Sequence, residues 1–313
     1  MMKKDIRMIG IDLDGTLLTR NKELTPASRE ALVSAIRAGI EVVPVTGRPL
    51  SGVPREVLDI PGIRYVITSN GANTYGFDGM FDIDSEDKGA LILRAAIEGR
   101  LSGAVLRREH LPHEIVRKIL AAAPGEHVIR EIFIRGVGYH DAPTQTMLEE
   151  RFSIAPPILA YINRSRKIVA GFEPFLGDET SHVENISLMF PSQEERDECF
   201  SRLRKIRGKD NEKILHVLLP WRTDLEVTHV LADKWLAVES LAESAGISDG
   251  QIMTLGDGDN DRPMLRGAGL SFAMGNAPDF VKETADYITE DNEHDGAAKA
   301  IFRILKEAGG SSK

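Results

Sequence analysis

Two acidic clusters carry the strongest chemical signal in this sequence. Asp12-Leu13-Asp14-Gly15-Thr16 sets two carboxylates two positions apart, directly after the apolar run Met8-Ile9-Gly10-Ile11. A single Asp in that setting is ordinarily a turn former. Two acids held together repel unless a cation neutralises them or their pKa values separate, and either outcome suits catalysis. Gly256-Asp257-Gly258-Asp259-Asn260-Asp261 packs three acids and an amide into one short turn. Its acid spacing invites comparison with a calcium loop, but Arg262 stands where that loop needs glycine and Ala268 where it needs glutamate. A solvated acidic turn is the bland alternative.

Two smaller features fall in similar places. Val45-Thr46-Gly47-Arg48 offers a hydroxyl, a flexible backbone amide and a cation after a second apolar run. Thr46 and the Gly47 amide can donate to phosphate oxygens, and Arg48 can reach an anionic substrate group, although Thr-Gly is also common turn chemistry. Lys234 opens a helical pattern with Leu236, Ala237 and Leu241 behind it, where an exposed lysine is the ordinary expectation. Arg107-Arg108 and Arg164-Ser165-Arg166-Lys167 read as solvated basic faces. Pro112 breaks the helix that would pair His110 with His113 as metal ligands. Trp221 and Trp235 read as packing residues.

The elements that must position these groups alternate strand and helix. Met8–Ile11 reads as a buried parallel strand ending at Asp12. Thr25-Pro26 opens a helix through about Ala38, which Gly39 ends, and Ile40–Val45 and Tyr65–Thr68 read as further strands. Gly76-Phe77-Asp78-Gly79 marks an expected hairpin. Beyond it the rhythm breaks. Helices at His113–Ala123 and Gln193–Ile206, mixed with strands at Ile129–Ile134 and Ile186–Phe190, read as an α+β insertion. The α/β rhythm returns with a helix at Asp233–Ala245 and strands at Gln251–Leu255 and Gly269–Ala273. The expected class is therefore α/β: a doubly wound, mostly parallel sheet from residues 1–84 and 226–313, with an α+β cap over 85–225. All four chemical features fall at strand ends or helix starts, where such sheets place their ligand crevice.

Composition narrows the function. With 313 residues, 42% of them hydrophobic, the chain can bury two cores. A formal charge of −9 argues against nucleic acid as partner, since that affinity comes from Lys and Arg neutralising phosphates. The lone Cys199 excludes an intramolecular disulfide and a cysteine-built zinc site, which fits a cytoplasmic setting. No stretch reaches the length of a membrane span.

Read in order, Asp12 to Leu18, Val45 to Arg48, Lys234 and Gly256 to Asp261 resemble the four motifs of the haloacid dehalogenase-like phosphatases, most closely the Cof-type subfamily. Thr68-Ser69-Asn70-Gly71-Ala72 and Ala273-Met274-Gly275-Asn276-Ala277 extend the likeness. That resemblance implies a Rossmann-like core with an inserted cap and a Mg²⁺-dependent phosphatase acting on a small phosphorylated metabolite such as a sugar phosphate. It makes Asp12 the nucleophile that forms an aspartyl-phosphate, and Asp14 the acid and base. It assigns the metal to Asp12, Asp257 and the Asp14 carbonyl, with Asp261 as an outer-sphere partner. It gives the phosphoryl group to Thr46, Gly47, Lys234 and Asn260, and the rest of the substrate to Arg48 and Asn70. A phosphomutase of the same superfamily and a phosphometabolite-binding regulatory protein are the competing readings. Oligomeric state is not legible.

Overall fold

The computed structural model describes residues 5–150, 156–178, 180–220 and 222–309. Trp221 lies outside them. In chain order the strands are β1 (Met8–Ile11), β2 (Glu41–Pro44), β3 (Tyr65–Thr68), β4 (Asn73–Gly76), β5 (Val105–Arg108), β6 (Ile129–Ile134) and β7 (Val137–Asp141). They continue as β8 (Arg166–Val169), β9 (Val183–Met189), β10 (Leu215–Leu218), β11 (Asp224–His229), β12 (Ile252–Gly256), β13 (Leu270–Ala273) and β14 (Tyr287–Ile288).

Five of them form a parallel sheet in the order β14-β13-β12-β1-β2. Its strands are nearly continuous apolar runs because helices cover both faces. Leu32 and Ala35 of the helix Pro26–Arg37 and Ile301 of the helix Gly296–Gly309 join Ile9, Ile11 and Leu255 on one side. Ala237 and Val238 of the helix Lys234–Ser244 pack with Met8, Val43 and Ile252 on the other, where Trp235 lies at the cluster's edge. The fold is thus the expected doubly wound α/β sheet. The first helix starts as its sequence dictates: the Thr25 side chain accepts from Ser28 N, Pro26 follows, and Gly39 beyond the end has φ of 82°.

The inserted unit is a six-stranded sheet, β10-β11-β9-β6-β7-β8, antiparallel except where β7 meets β8. Ile132, Ile186, Leu188, Leu225 and Val227 turn one face onto the helices His113–Ala122 and Gln193–Leu203, so this unit has its own core. A register shift after Phe133 leaves Glu184 as the extra residue between Val183 and Asn185.

Three local expectations need correction. The hairpin lies between β3 and β4, at Ser69–Ala72, while the 77–80 turn only leads the chain away from the sheet. There Ser69 and Asn70 take left-handed φ values of 51° and 57°. The break between units falls later than residue 85, and the chain returns to the first unit only after β11, not at 226. Ile92, Ala95, Ala96, Leu101 and Ala104 pack into the first core and β5 pairs with β4; Leu111 is the first residue of the second core. Arg166 is not solvated: it is buried against Glu131 at 3.1 Å and lies over the Phe133 ring.

Candidate active site

Strands β1, β2 and β12 run side by side, so the segments after their carboxyl ends converge. Asp12 follows β1, Thr46 follows β2, and Asp257 follows β12. Gly15 makes the close approach possible: its φ is 81°, and a Cβ there would lie 2.3 Å from Asp257 Oδ2. Lys234 starts its helix behind Asp233, whose side chain caps Trp235 N and Leu236 N. Placed there, Lys234 is fully enclosed rather than solvated. Its Nζ donates to Asp12 Oδ1 and to Asp261 Oδ1, each at 2.6 Å. The other oxygen of Asp261 accepts from Asp257 N (2.9 Å) and Gly258 N (2.8 Å), which fixes the acidic turn on the lysine.

Asp12, Asp257 and Asp261 bring one carboxylate oxygen each within 4.8 Å of the others. One ammonium does not balance three such groups. Burial, and then the Asp261 charge, raise Asp12 well above the usual carboxylate range against the pull of Lys234. Burial and Asp261 likewise push Asp257 up to about 7. Burial alone would lower Lys234, but Asp12 and Asp261 outweigh it and hold its pKa above the ordinary lysine value. A site with excess buried negative charge, built only of oxygen donors, fits a hard divalent cation. Thr16 Oγ1 donates to Asp257 Oδ1 (3.2 Å) and Asn276 Nδ2 to Asp257 Oδ2 (3.1 Å), orienting that carboxylate.

Asp14 stands apart from this knot. Arg48 grips it in a fork, Nε to Oδ2 and Nη2 to Oδ1, both at 2.6 Å, and Lys22 Nζ lies 2.8 Å from Oδ1. Burial would raise Asp14, but the Arg48 bonds and charge, with Lys22, hold it well below the usual carboxylate range. Arg48 is fixed in turn by Gly52 O (2.8 Å) and by the Tyr161 ring of the inserted unit, 4.3 Å away. Arg48 therefore touches another catalytic candidate rather than open space.

The remaining expected residues meet around Asn70. Its backbone N donates to Thr46 O at 3.0 Å, and a Cβ on Gly47 would lie 3.0 Å from its Oδ1. Asn260 Nδ2 donates to Asn70 Oδ1 (2.9 Å), while Asn70 Nδ2 donates to Glu226 Oε2 (2.6 Å). The Thr46 hydroxyl is buried and accepts from Arg48 N at 3.1 Å. Lys22, Tyr161, Glu184 and Glu226 were not anticipated. Nothing local marks them, because each reaches the site through tertiary contact. Thr16 and Asn276 lie inside contiguous sequence motifs, next to Asp14-Gly15 and in Ala273-Met274-Gly275-Asn276-Ala277.

A carboxylate at the end of the first strand, paired to a helix-borne lysine and flanked by an acidic turn, brings together a nucleophile, a cation and oxygen donors for a metal, the parts a phosphoryl-transfer site needs. The chain belongs to the haloacid dehalogenase-like hydrolases, whose family model matches residues 9–86 and 89–301. It is 29% identical over 299 residues to the 5-amino-6-(5-phospho-D-ribitylamino)uracil phosphatase YcsE of Bacillus subtilis, with 95% of each chain covered. It is 26% identical over 307 residues to the pyridoxal phosphate phosphatase YbhA of Escherichia coli, covering 96% of this chain and 98% of that one. A solved haloacid dehalogenase-like hydrolase from Bacteroides thetaiotaomicron superposes with a TM-score of 0.71 at 25% identity, covering 96% of this chain and 99% of its own. The protein is accordingly a phosphoric monoester hydrolase of the phosphatase kind. No helix among the described residues is long and apolar enough to cross a membrane.

Proposed function

We propose that the chain hydrolyses a small phosphorylated metabolite through an aspartyl-phosphate on Asp12, with magnesium as the metal. The observation that carries this reading is the Lys234 bridge: it occupies Asp12 Oδ1 and leaves Oδ2 without a hydrogen bond among the described residues. That oxygen attacks phosphorus as the bond to the leaving oxygen breaks. Asp14 delivers a proton to the leaving oxygen, then takes one from the water that attacks the aspartyl-phosphate and restores the Asp12 carboxylate. Because Arg48 and Lys22 hold Asp14 ionised, an anionic substrate group must first draw Arg48 partly away. Lys234, Thr46, the Gly47 amide and Asn260 hold the phosphoryl oxygens, and Arg48 and Asn70 meet the rest of the substrate. Asp12, Asp257 and the Asp14 main-chain carbonyl would bind the metal, with Asp261 orienting Lys234 and the acidic turn. When bound, magnesium neutralises the carboxylates and offsets charge on the transferring group.

The inserted unit serves as the cap over this crevice in this reading. The face it turns to the first unit carries Glu226, Ser187, Asn185 and Thr228 in register, and the buried Thr228 hydroxyl has no hydrogen-bond partner among the described residues. Such a roof suits a hydroxyl-rich leaving group, and the relatives' names, a ribityl phosphate and pyridoxal phosphate, are of that size. The test is phosphate release from an aryl phosphate and a panel of a few dozen phosphorylated metabolites, with magnesium and with chelator. Wild type should turn over only with metal, and the folded Asp12→Asn protein should not. Turnover surviving Asp12→Asn sinks the mechanism.

A further inference from the structure

The paired arginines of β5 do different work. Neighbouring residues on a strand face opposite ways. Arg107 turns toward the catalytic side, donating to Gly71 O (2.7 Å) and Leu231 O (2.8 Å). Arg108 faces the other side, paired in register with Asn73, and its side chain forms no hydrogen bond or ion pair among the described residues. It lines a cavity of about 210 Å³ that contains none of the residues assigned to phosphoryl transfer.

The cavity lies where core and cap meet. Asn73, Tyr75 and Arg108 come from the first unit, Arg135, Thr180 and His182 from the second. Two of these present unmet hydrogen-bonding atoms: Asn73 Oδ1, in a side chain 2% exposed, and His182 Nδ1. Buried polar atoms of this kind are costly unless something pairs with them. Burial, then the charges of Arg108, His110 and Arg135, push His182 down to about 4, so its imidazole is neutral at pH 7; Arg135 is paired with Asp178, which leaves Arg108 as the unpaired charge of the lining. Leu101 and Val105 supply an apolar wall. One unpaired guanidinium matches a singly charged occupant rather than a dianionic phosphate.

We propose that this cavity is a second ligand site, taking a small carboxylate with a compact apolar body and a hydroxyl group: the carboxylate on Arg108, the hydroxyl donating to Asn73 Oδ1. The occupant touches both units. Its binding is independent of turnover.

Calorimetric titration of the full chain with 4-hydroxybenzoate, 4-hydroxyphenylacetate and 3-hydroxybutyrate tests it. At least one should bind saturably at one equivalent, and equally well to the Asp12→Asn protein. Arg108→Ala should weaken that binding by about tenfold or more, the range of a charged hydrogen bond. Arg108→Lys, which keeps the charge but not the fork, should fall between. Melting curves confirm that each variant is folded. The proposal is overturned if none of the three binds, if binding survives Arg108→Ala unchanged, or if Asp12→Asn removes it. The last result would place the ligand in the catalytic centre.

Discussion

Lys234 is pulled by two carboxylates at 2.6 Å, and a third, Asp257, shares their space without sharing the lysine. The metal-free fold therefore carries electrostatic strain at Asp257. With its pKa raised from the ordinary range to about 7, stability present at low pH is lost as pH climbs toward 7. Asp257→Asn removes that loss. In chelator at pH 8 the variant should be more stable by about 1 kcal/mol, a Tm rise of about 2–4 °C for a chain of this size. Magnesium should raise the Tm of wild type by mass action and that of the variant much less, while the variant loses activity. A lower Tm for the variant in chelator would contradict this account. Arg48 supplies a second test. Arg48→Ala removes most of the charge that depresses Asp14, leaving Lys22, so the alkaline limb of the kcat/KM profile, where Asp14 loses the proton it must deliver, should move to higher pH. A limb that stays put means Asp14 is not the titrating group.

Among the elements, the turn after β1 is the tightest constraint. A Cβ on Gly15 would enter the Asp257 carboxylate, and the residue's φ of 81° is strained for any side chain. Gly15→Ala should cost about 1–2 kcal/mol in urea unfolding and at least about tenfold in kcat, by pushing the acidic turn off the nucleophile. Wild-type kcat in the variant would show that the approach is slack. This turn was readable because strand, acid and glycine are contiguous; the same holds for Asp233-Lys234 and for the first helix with its Thr25 cap. The β3–β4 hairpin lies several residues before the expected one although Asn70-Gly71 signals it, since Gly76-Phe77-Asp78-Gly79 offers a rival pair of turn glycines and only the strand pairing decides between them. Residues 88–108 read as part of the insertion because a helix and a strand there break the parallel rhythm. What ties them to the core is Ile92, Ala96 and Leu101 reaching the first cluster, and that is not written in local pattern. Arg166 failed similarly. A basic run reads as solvated until a buried Glu131 is found across the sheet.

At the scale of the whole molecule, the two units meet along a polar seam. Ser51 Oγ donates to Ser165 O (2.8 Å), Asn70 Nδ2 to Glu226, and Arg48 stacks on Tyr161. At its centre Glu184 accepts from Ser69 Oγ (2.9 Å) and Gly136 N (2.6 Å) with no exposure at all. Burial pushes its pKa from the ordinary 4.5 up to about 7, over the opposing Gly136 and Ser69 hydrogen bonds. Because the folded value is raised, the fold holds a proton that the unfolded chain releases. Stability is then greatest below about pH 4.5 and declines until pH passes 7, by on the order of 2 kcal/mol. Glu184→Gln keeps an acceptor for Gly136 and can donate to Ser69, and it has nothing to titrate. Its melting temperature should change less than that of wild type between pH 5 and 8, and should exceed it at pH 8. Differential scanning calorimetry across that range decides the matter, and an unchanged pH slope would mean that the seam is not where this charge is held. Ser69 adjoins Asn70, which touches Asn260 and Gly47, so the loop that receives this carboxyl also shapes the proposed phosphoryl site. The same substitution should therefore raise KM for an aryl phosphate more than it lowers kcat, because in the proposed mechanism the loop holds substrate but donates no group to the chemistry.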